Sequence, residues 1–176
     1  FPWASDPEQL FAEVAALFPS VARRVVIQMG CNSDPRMLQH MPRELPFVRA
    51  CWLRYEVPAY RGPILIGSDV AYVFGDDRPP PRPRRVLPGE VSSSGRRGSG
   101  KSAHPCPRTV DHVRWLVKWF TRPGDVVVDP FCGSGTTLRA AKDLEVRSVG
   151  IEIHEPFCRL AVEQLRQDVL GLEGTA

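Results

Sequence analysis

The sequence predicts an α/β fold: a doubly wound, mostly parallel sheet with an antiparallel hairpin at one edge, in a single domain. Three observations lead there. Helical apolar periodicity alternates with short β-branched runs, two extended runs between residues 47 and 75 flank a Pro/Gly turn, and a glycine turn joins an apolar strand to a helix near residue 133. At 176 residues, 43% apolar and 24% charged, the chain suits one ordinary domain and can bury a real core. No apolar run reaches bilayer length, and a formal charge of +3 permits an acidic partner without requiring one.

The elements follow in order. Residues 6–18 place Leu10, Phe11, Val14, Leu17 and Phe18 at helical spacing behind Asp6 as cap. A buried strand is expected over 22–30, a short helix within 31–41, and strands over 47–57 and 68–75 that pair as the hairpin. Composition then shifts: from Arg78 to Arg108 there are seven prolines, a Ser/Gly run and eight basic side chains against one acid, Glu90, so a mobile or partner-ordered loop without a packed core is expected there. Regular structure resumes with a helix over 109–120, with Val110, Val113, Leu116, Val117 and Phe120 on one face. A strand (125–129), a helix (136–144), a strand (148–153) and a last helix to about 169 complete a parallel βαβα unit.

Five cysteines, at 31, 51, 106, 132 and 158, are odd in number and show no metal-ligand spacing, which points to a reducing, cytoplasmic setting and no metal. Cys132 and Cys158 are expected to be packing residues. The chain opens at Phe1 with neither an initiator methionine nor a leader pattern, so a missing upstream part is expected.

The chemistry is concentrated in Asp129-Pro130-Phe131-Cys132-Gly133-Ser134-Gly135-Thr136-Thr137. Glycine lets the backbone turn tightly and approach a ligand at the carboxyl edge of a sheet, where such folds bind nucleotides. Seventeen residues beyond Gly135, Glu152 ends the next strand in place to accept the two hydroxyls of a ribose. Leu138 stands where a dinucleotide fingerprint has its third glycine, so a nucleoside is the better ligand. Plainer readings stand beside these: Asp129 as turn cap, Glu152 as solvated strand end, His104 as structural loop histidine.

Together, HPCPRTVDHVRWLVKWF, DVVVDPFCGSGTT and SVGIEIHEPFCRLAVEQL resemble consecutive motifs of the amino-group-specific DNA methyltransferases, which make N6-methyladenine or N4-methylcytosine. The likeness spans roughly residues 104 to 169. It implies the Rossmann-like methyltransferase fold, S-adenosyl-L-methionine as cofactor, and double-stranded DNA as partner, often within a restriction-modification system. By this resemblance Asp129, Pro130, Phe131, Gly133, Ser134, Gly135, Thr136 and Thr137 surround the methionine part of the cofactor, Glu152 holds its ribose, and His104 and Pro105 close the methionine side. Thr109 departs from the family, which often has proline after the basic residue, here Arg108.

The family's Asp/Ser-Pro-Pro-aromatic catalytic string is absent from the 176 residues. In the permuted group, with that string on the N-terminal side, it is expected upstream of or overlapping Phe1-Pro2-Trp3, with Phe1 its possible last aromatic and Tyr72 a pocket wall or, more simply, a core residue. The expected organisation is a catalytic and target-base half (1–77), a target-recognition loop (78–103) and a cofactor half (104–176). Arg82, Arg84, Arg85, Arg96, Arg97 and Lys101 of the loop are the candidate DNA contacts. The expected reaction is methyl transfer to a base amine, N6 of adenine ahead of N4 of cytosine. The alternatives are a non-catalytic DNA- or cofactor-binding module of the same family and, more remotely, a nucleotide hydrolase. For the last, Gly95 to Ser102 fits GxxxxGK[ST], but VLPGEVSSS is a poor preceding strand, and Pro105 and Pro107 oppose a following helix. Oligomeric state and recognition sequence are not legible.

Overall fold

The computed structural model describes residues 6–30, 33–76, 88–93 and 108–166. The chain divides into two compact units, Phe1–Arg96 and Arg97–Ala176. The division falls within the 78–103 stretch that composition sets apart.

In the first unit, helix α1 (Pro7–Val21) starts where expected, because Asp6 accepts the amides of Glu8 and Gln9, both at 3.0 Å, and Pro7 needs no amide partner. Its inward side carries Ala15 and Phe18, whereas Leu17, placed on the apolar face by periodicity, is 60% exposed. The strands are β1 (Arg24–Gly30), β2 (Phe47–Arg61), β3 (Ile64–Gly75) and β4 (Glu90–Ser93), with one 3-10 turn over Pro35–His40. They form a mixed sheet in the order β1-β3-β2-β4. β3 is antiparallel to both neighbours, and β4 runs parallel to β2.

One face of this sheet holds Val25 and Phe74, which cluster with Leu45; Phe18, Ala22, Ile27, Leu38, Met41 and Tyr72 pack against them. Tyr72, on this face, is partly buried against the cluster. On the other face Cys51, Leu53, Ala71 and Val73 are fully buried with Asp69. The Asp69 carboxyl accepts the Tyr55 hydroxyl at 2.9 Å and the Gln28 side-chain amide at 3.2 Å, so one buried polar group ties β1, β2 and β3 together.

β4 corrects the expectation for the Arg78–Arg108 stretch. Gly89 accepts the Trp52 amide at 2.9 Å, and Glu90 to Ser93 pair with Trp52 to Tyr55. A short outermost strand is held by main-chain bonds to its one neighbour and needs no apolar run, so a poor strand-former such as EVSS suffices. The rest of that stretch, including the GxxxxGK[ST] string, lies outside the described residues, as do Phe1, Trp3, His104, Pro105, Arg82, Arg84, Arg85, Arg96, Arg97 and Lys101.

In the second unit, β5 (Val126–Asp129) and β6 (Arg147–Gly150) pair in parallel, with Asp129 opposite Gly150. Helices α2 (Val110–Phe120) and α3 (Thr136–Asp143) cover one face through Val113, Val117 and Ala140, packed with Val127, Leu144 and Val146. Helix α4 (Glu155–Arg166) follows, with Phe157 and Ala161 buried. The α2 face holds Val113, Leu116, Val117 and Phe120 as expected, and also a fully buried His112 that periodicity did not mark. Among the described residues, no helix is long and apolar enough to cross a membrane.

Asp143 joins α2 to α3. It accepts Arg114 Nη2 at 2.6 Å and Arg139 Nε at 2.8 Å. Burial pushes its carboxyl up, but the bonds from Arg114 and Arg139 outweigh that, and the net pKa lies below the usual value. A lowered carboxylate pKa stabilises the fold above the unfolded value, about 3.9, and that contribution disappears as pH falls through the folded value. Asp143→Asn is therefore expected to cost about 1 kcal/mol at neutral pH, a low figure because Arg114 is partly solvated. In urea denaturation, the gap from the parent chain should narrow below about pH 4.

Candidate functional site

The glycine turn between β5 and α3 is shaped by its own residues. Pro130 has no amide, so the Asp129 carboxyl takes the next one, Phe131 N at 3.0 Å, which starts the turn. The Cys132 carbonyl then accepts Gly135 N at 2.8 Å. Gly135 caps α3 at φ 87°, and a Cβ there would lie 2.8 Å from the Ala161 side chain. Backbone conformation and space both disfavour any other residue. Gly133, Ser134 and Gly135 are buried, Thr136 and Thr137 are half-buried at the first turn of α3, and Phe131 is 40% exposed.

Glu152, two residues beyond β6, faces this turn. Its Oε2 accepts Gly133 N at 3.0 Å, and its Oε1 accepts His154 N at 2.7 Å. Main-chain bonds stitch the same region: Ile151 N to the Asp129 carbonyl at 2.9 Å and Cys132 N to the Ile151 carbonyl at 3.0 Å. One half-buried carboxylate thus joins the end of one strand, the glycine turn of the other and the approach to α4. The cofactor-site residues proposed from sequence that lie among those described, Asp129 to Thr137 and Glu152, come together here, whereas Tyr72 belongs to the first unit.

The cysteines pack. Cys132 Sγ lies 2.8 Å from where a Cβ on Gly150 would stand, and Cys158 Sγ donates to the Glu152 carbonyl at 3.4 Å. Burial, then the charges of Asp129 and Glu152 and the neighbouring Cys158, push the Cys132 thiol up to about 11. It stays protonated at neutral pH and is a poor nucleophile. Among the described residues, no group of His, Cys, Asp or Glu is arranged to hold a metal ion.

Ile153 was not singled out from the sequence. It is 87% exposed beside Glu152. An apolar residue directly after the strand-end acid, beyond the last ladder pair at Gly150, is the signal that could have marked it. The site thus offers a carboxylate for a diol, a close-approach backbone turn, and apolar surface at Ile153 and Phe131. Each oxygen of Glu152 can accept more than the single amide it already receives. These residues fit an adenosine-type ligand.

Comparison with known proteins agrees with the geometry. The model of a DNA methylase family, the N6/N4 type, matches residues 48–163. This stretch is well over half of the sequence, and the chain belongs to that family. It is 35% identical over 97 residues to YubD of Escherichia coli (strain K12), named as a methylase, a match covering 55% of this chain and 41% of that protein. It is 39% identical over 51 residues to the type II methyltransferase M.EcaI of Enterobacter cloacae, covering 29% of this chain and 11% of the relative. The chain thus spans well under two thirds of these relatives. Among solved structures, the M1.HpyAVI–SAM complex superposes with a TM-score of 0.70 at 20% identity, covering 92% of this chain and 85% of the other. PvuII DNA methyltransferase (cytosine-N4-specific) does so at 0.67 and 14%, covering 96% and 75%. The fold is accordingly the Rossmann-like one of S-adenosylmethionine-dependent DNA methyltransferases.

The Gly135 geometry has a measurable consequence. Gly135→Ala places a side chain at φ 87° against Ala161, and is expected to destabilise the chain by about 1–3 kcal/mol in urea denaturation.

Proposed function

We propose that the protein is an S-adenosyl-L-methionine-dependent DNA methyltransferase that modifies an exocyclic base amine, N6 of adenine ahead of N4 of cytosine. The observation that carries this is Glu152, held by the amides of Gly133 and His154 at the mouth of the glycine turn. Its remaining acceptor capacity matches a ribose diol, and its rigid mounting means little order is lost on binding. Asp129, with Phe131 to Thr137, forms the neighbouring cradle for the methionine part, and Ile153 supplies an apolar face for the adenine. When bound, the cofactor supplies a methyl group already activated as a sulfonium. The work of these residues is to hold and orient it where a base amine can approach in line. The base must leave the duplex stack to reach such a site. Double-stranded DNA is the proposed partner, consistent with a place in restriction-modification.

Glu152→Ala is expected to weaken S-adenosylmethionine binding by about one to two decades, the effect of losing bonds from a charged acceptor. Calorimetry with equal affinity in both chains removes Glu152 from the site. Methyl-tritium transfer to unmethylated DNA, followed by product digestion, tests the reaction and separates adenine from cytosine. Because these 176 residues hold no Asp/Ser-Pro-Pro-aromatic string, this chain alone is expected to bind cofactor without transfer and a chain extended upstream through such a string to transfer; an inactive extended chain favours a binding module.

We also propose that the basic stretch holds DNA by charge. If about four of its cations neutralise phosphates, log affinity should fall against log salt with a slope of roughly −3.6. Replacing Arg82, Arg84, Arg85, Arg96 and Arg97 by Ala should flatten that slope in a fluorescence-anisotropy salt series. An unaltered slope places the DNA surface elsewhere.

A further inference from the structure

The ladder of the second unit stops short of its acid. β6 pairs with β5 as far as Gly150, and Ile151 adds main-chain ties to the Asp129 carbonyl at 2.9 Å and from Cys132 N at 3.0 Å. Glu152 lies beyond that frame. If its carboxylate is to meet a ribose in one place, its backbone has to be fixed from elsewhere before the ligand arrives.

His154 supplies much of that fixing. Its amide donates to Glu152 Oε1 at 2.7 Å, shorter than the 3.0 Å bond from Gly133 N to the other oxygen. Its carbonyl accepts Phe157 N at 2.9 Å and Cys158 N at 3.2 Å, which makes it the cap of α4. Its ring lies against that of Phe157, with centroids 4.7 Å apart and planes at 47°. Phe157 is buried, so the imidazole rests on a fixed support. Cys158, in the same first turn, comes back to donate its Sγ to the Glu152 carbonyl at 3.4 Å. The start of one helix thus holds the acid at its carboxylate and at its carbonyl.

Histidine is not a preferred cap, and the sequence explains why it is tolerated. Ser, Thr, Asp and Asn are favoured because their side-chain oxygen accepts the amide of the second or third helical residue. In α4 the second is Pro156, which has no amide, and the third is Phe157, whose amide the His154 carbonyl already takes. A cap oxygen has little left to accept, so the position is open to a side chain with another use. Exposure is half-buried at Glu152, 87% at Ile153 and half-buried at His154, so acid and imidazole both turn inward.

We infer that His154 is a positioning residue for Glu152: the imidazole, anchored on Phe157, holds the residue 154 amide where it fixes the carboxylate for a ribose diol. This rests on the cofactor reading above and deepens it, because the site's preference for ribose then depends on a side chain that need not touch the ligand.

The test is calorimetry on the full chain, with S-adenosylhomocysteine and its 2′-deoxy analogue as probes. The parent should favour the ribose form. His154→Ala keeps the amide and removes the ring stack; it should weaken S-adenosylhomocysteine about three- to ten-fold and narrow the ribose preference. His154→Phe restores a ring against Phe157 and should return both values to those of the parent. In a Glu152→Ala chain, adding His154→Ala should cost nothing further, because residues that act through one contact are not additive. Parental affinity in His154→Ala overturns the inference. So do equal fractional losses for the two probes, which mark a general structural effect, and full additivity with Glu152→Ala. Failure of the parent chain to bind either probe overturns the cofactor reading itself, and the inference with it.

Discussion

A carboxylate whose two oxygens are each claimed by a backbone amide is costly to assemble and hard to move. Glu152 is in that position. Gly133 N on one side and His154 N on the other hold it between the glycine turn and the lead into α4. The turn exists because Pro130 passes the Asp129 cap on to Phe131, and it closes because Gly135 adopts φ 87° against Ala161. Changing any of these moves Glu152 relative to the backbone cradle, so the site's geometry depends on this one tie.

The same economy appears in the first unit, where Asp69 occupies the centre of a mixed sheet. A buried carboxyl would be destabilising alone, but bonds from Tyr55 and Gln28 make it a pin across three strands. The pin stands where β1 stops and the hairpin continues, which is where a ribbon needs support.

These two carboxyls have different duties. Glu152 takes the main-chain amides of Gly133 and His154, whereas Asp69 is fully buried and takes the side chains of Tyr55 and Gln28. Cys132 shows why nearby groups are not all chemical. It sits in the glycine turn, yet burial and two carboxylates keep its thiol protonated, so it fills space. Family membership and geometry point the same way.

Strand and helix types, the hairpin, and the grouping of Asp129 to Thr137 with Glu152 were legible in the sequence, because each rests on local rules: period, caps, and the need for glycine at positive φ. Boundaries moved by a few residues, and Leu17 turned outward, because periodicity marks a face but not its width. What tertiary structure decided was non-local. EVSS became a strand only because β2 offered an unpaired edge, a relation invisible in a proline- and arginine-rich stretch. His112 and Asp69 are buried polar residues whose surroundings come from other elements, and no spacing rule predicts such burial. Ile153 gained meaning only when β6 was seen to end before it. The sequence alone determined which backbone turns were possible, since sterics act between neighbours; which side chains those turns bring together was decided by contacts between residues far apart along the chain.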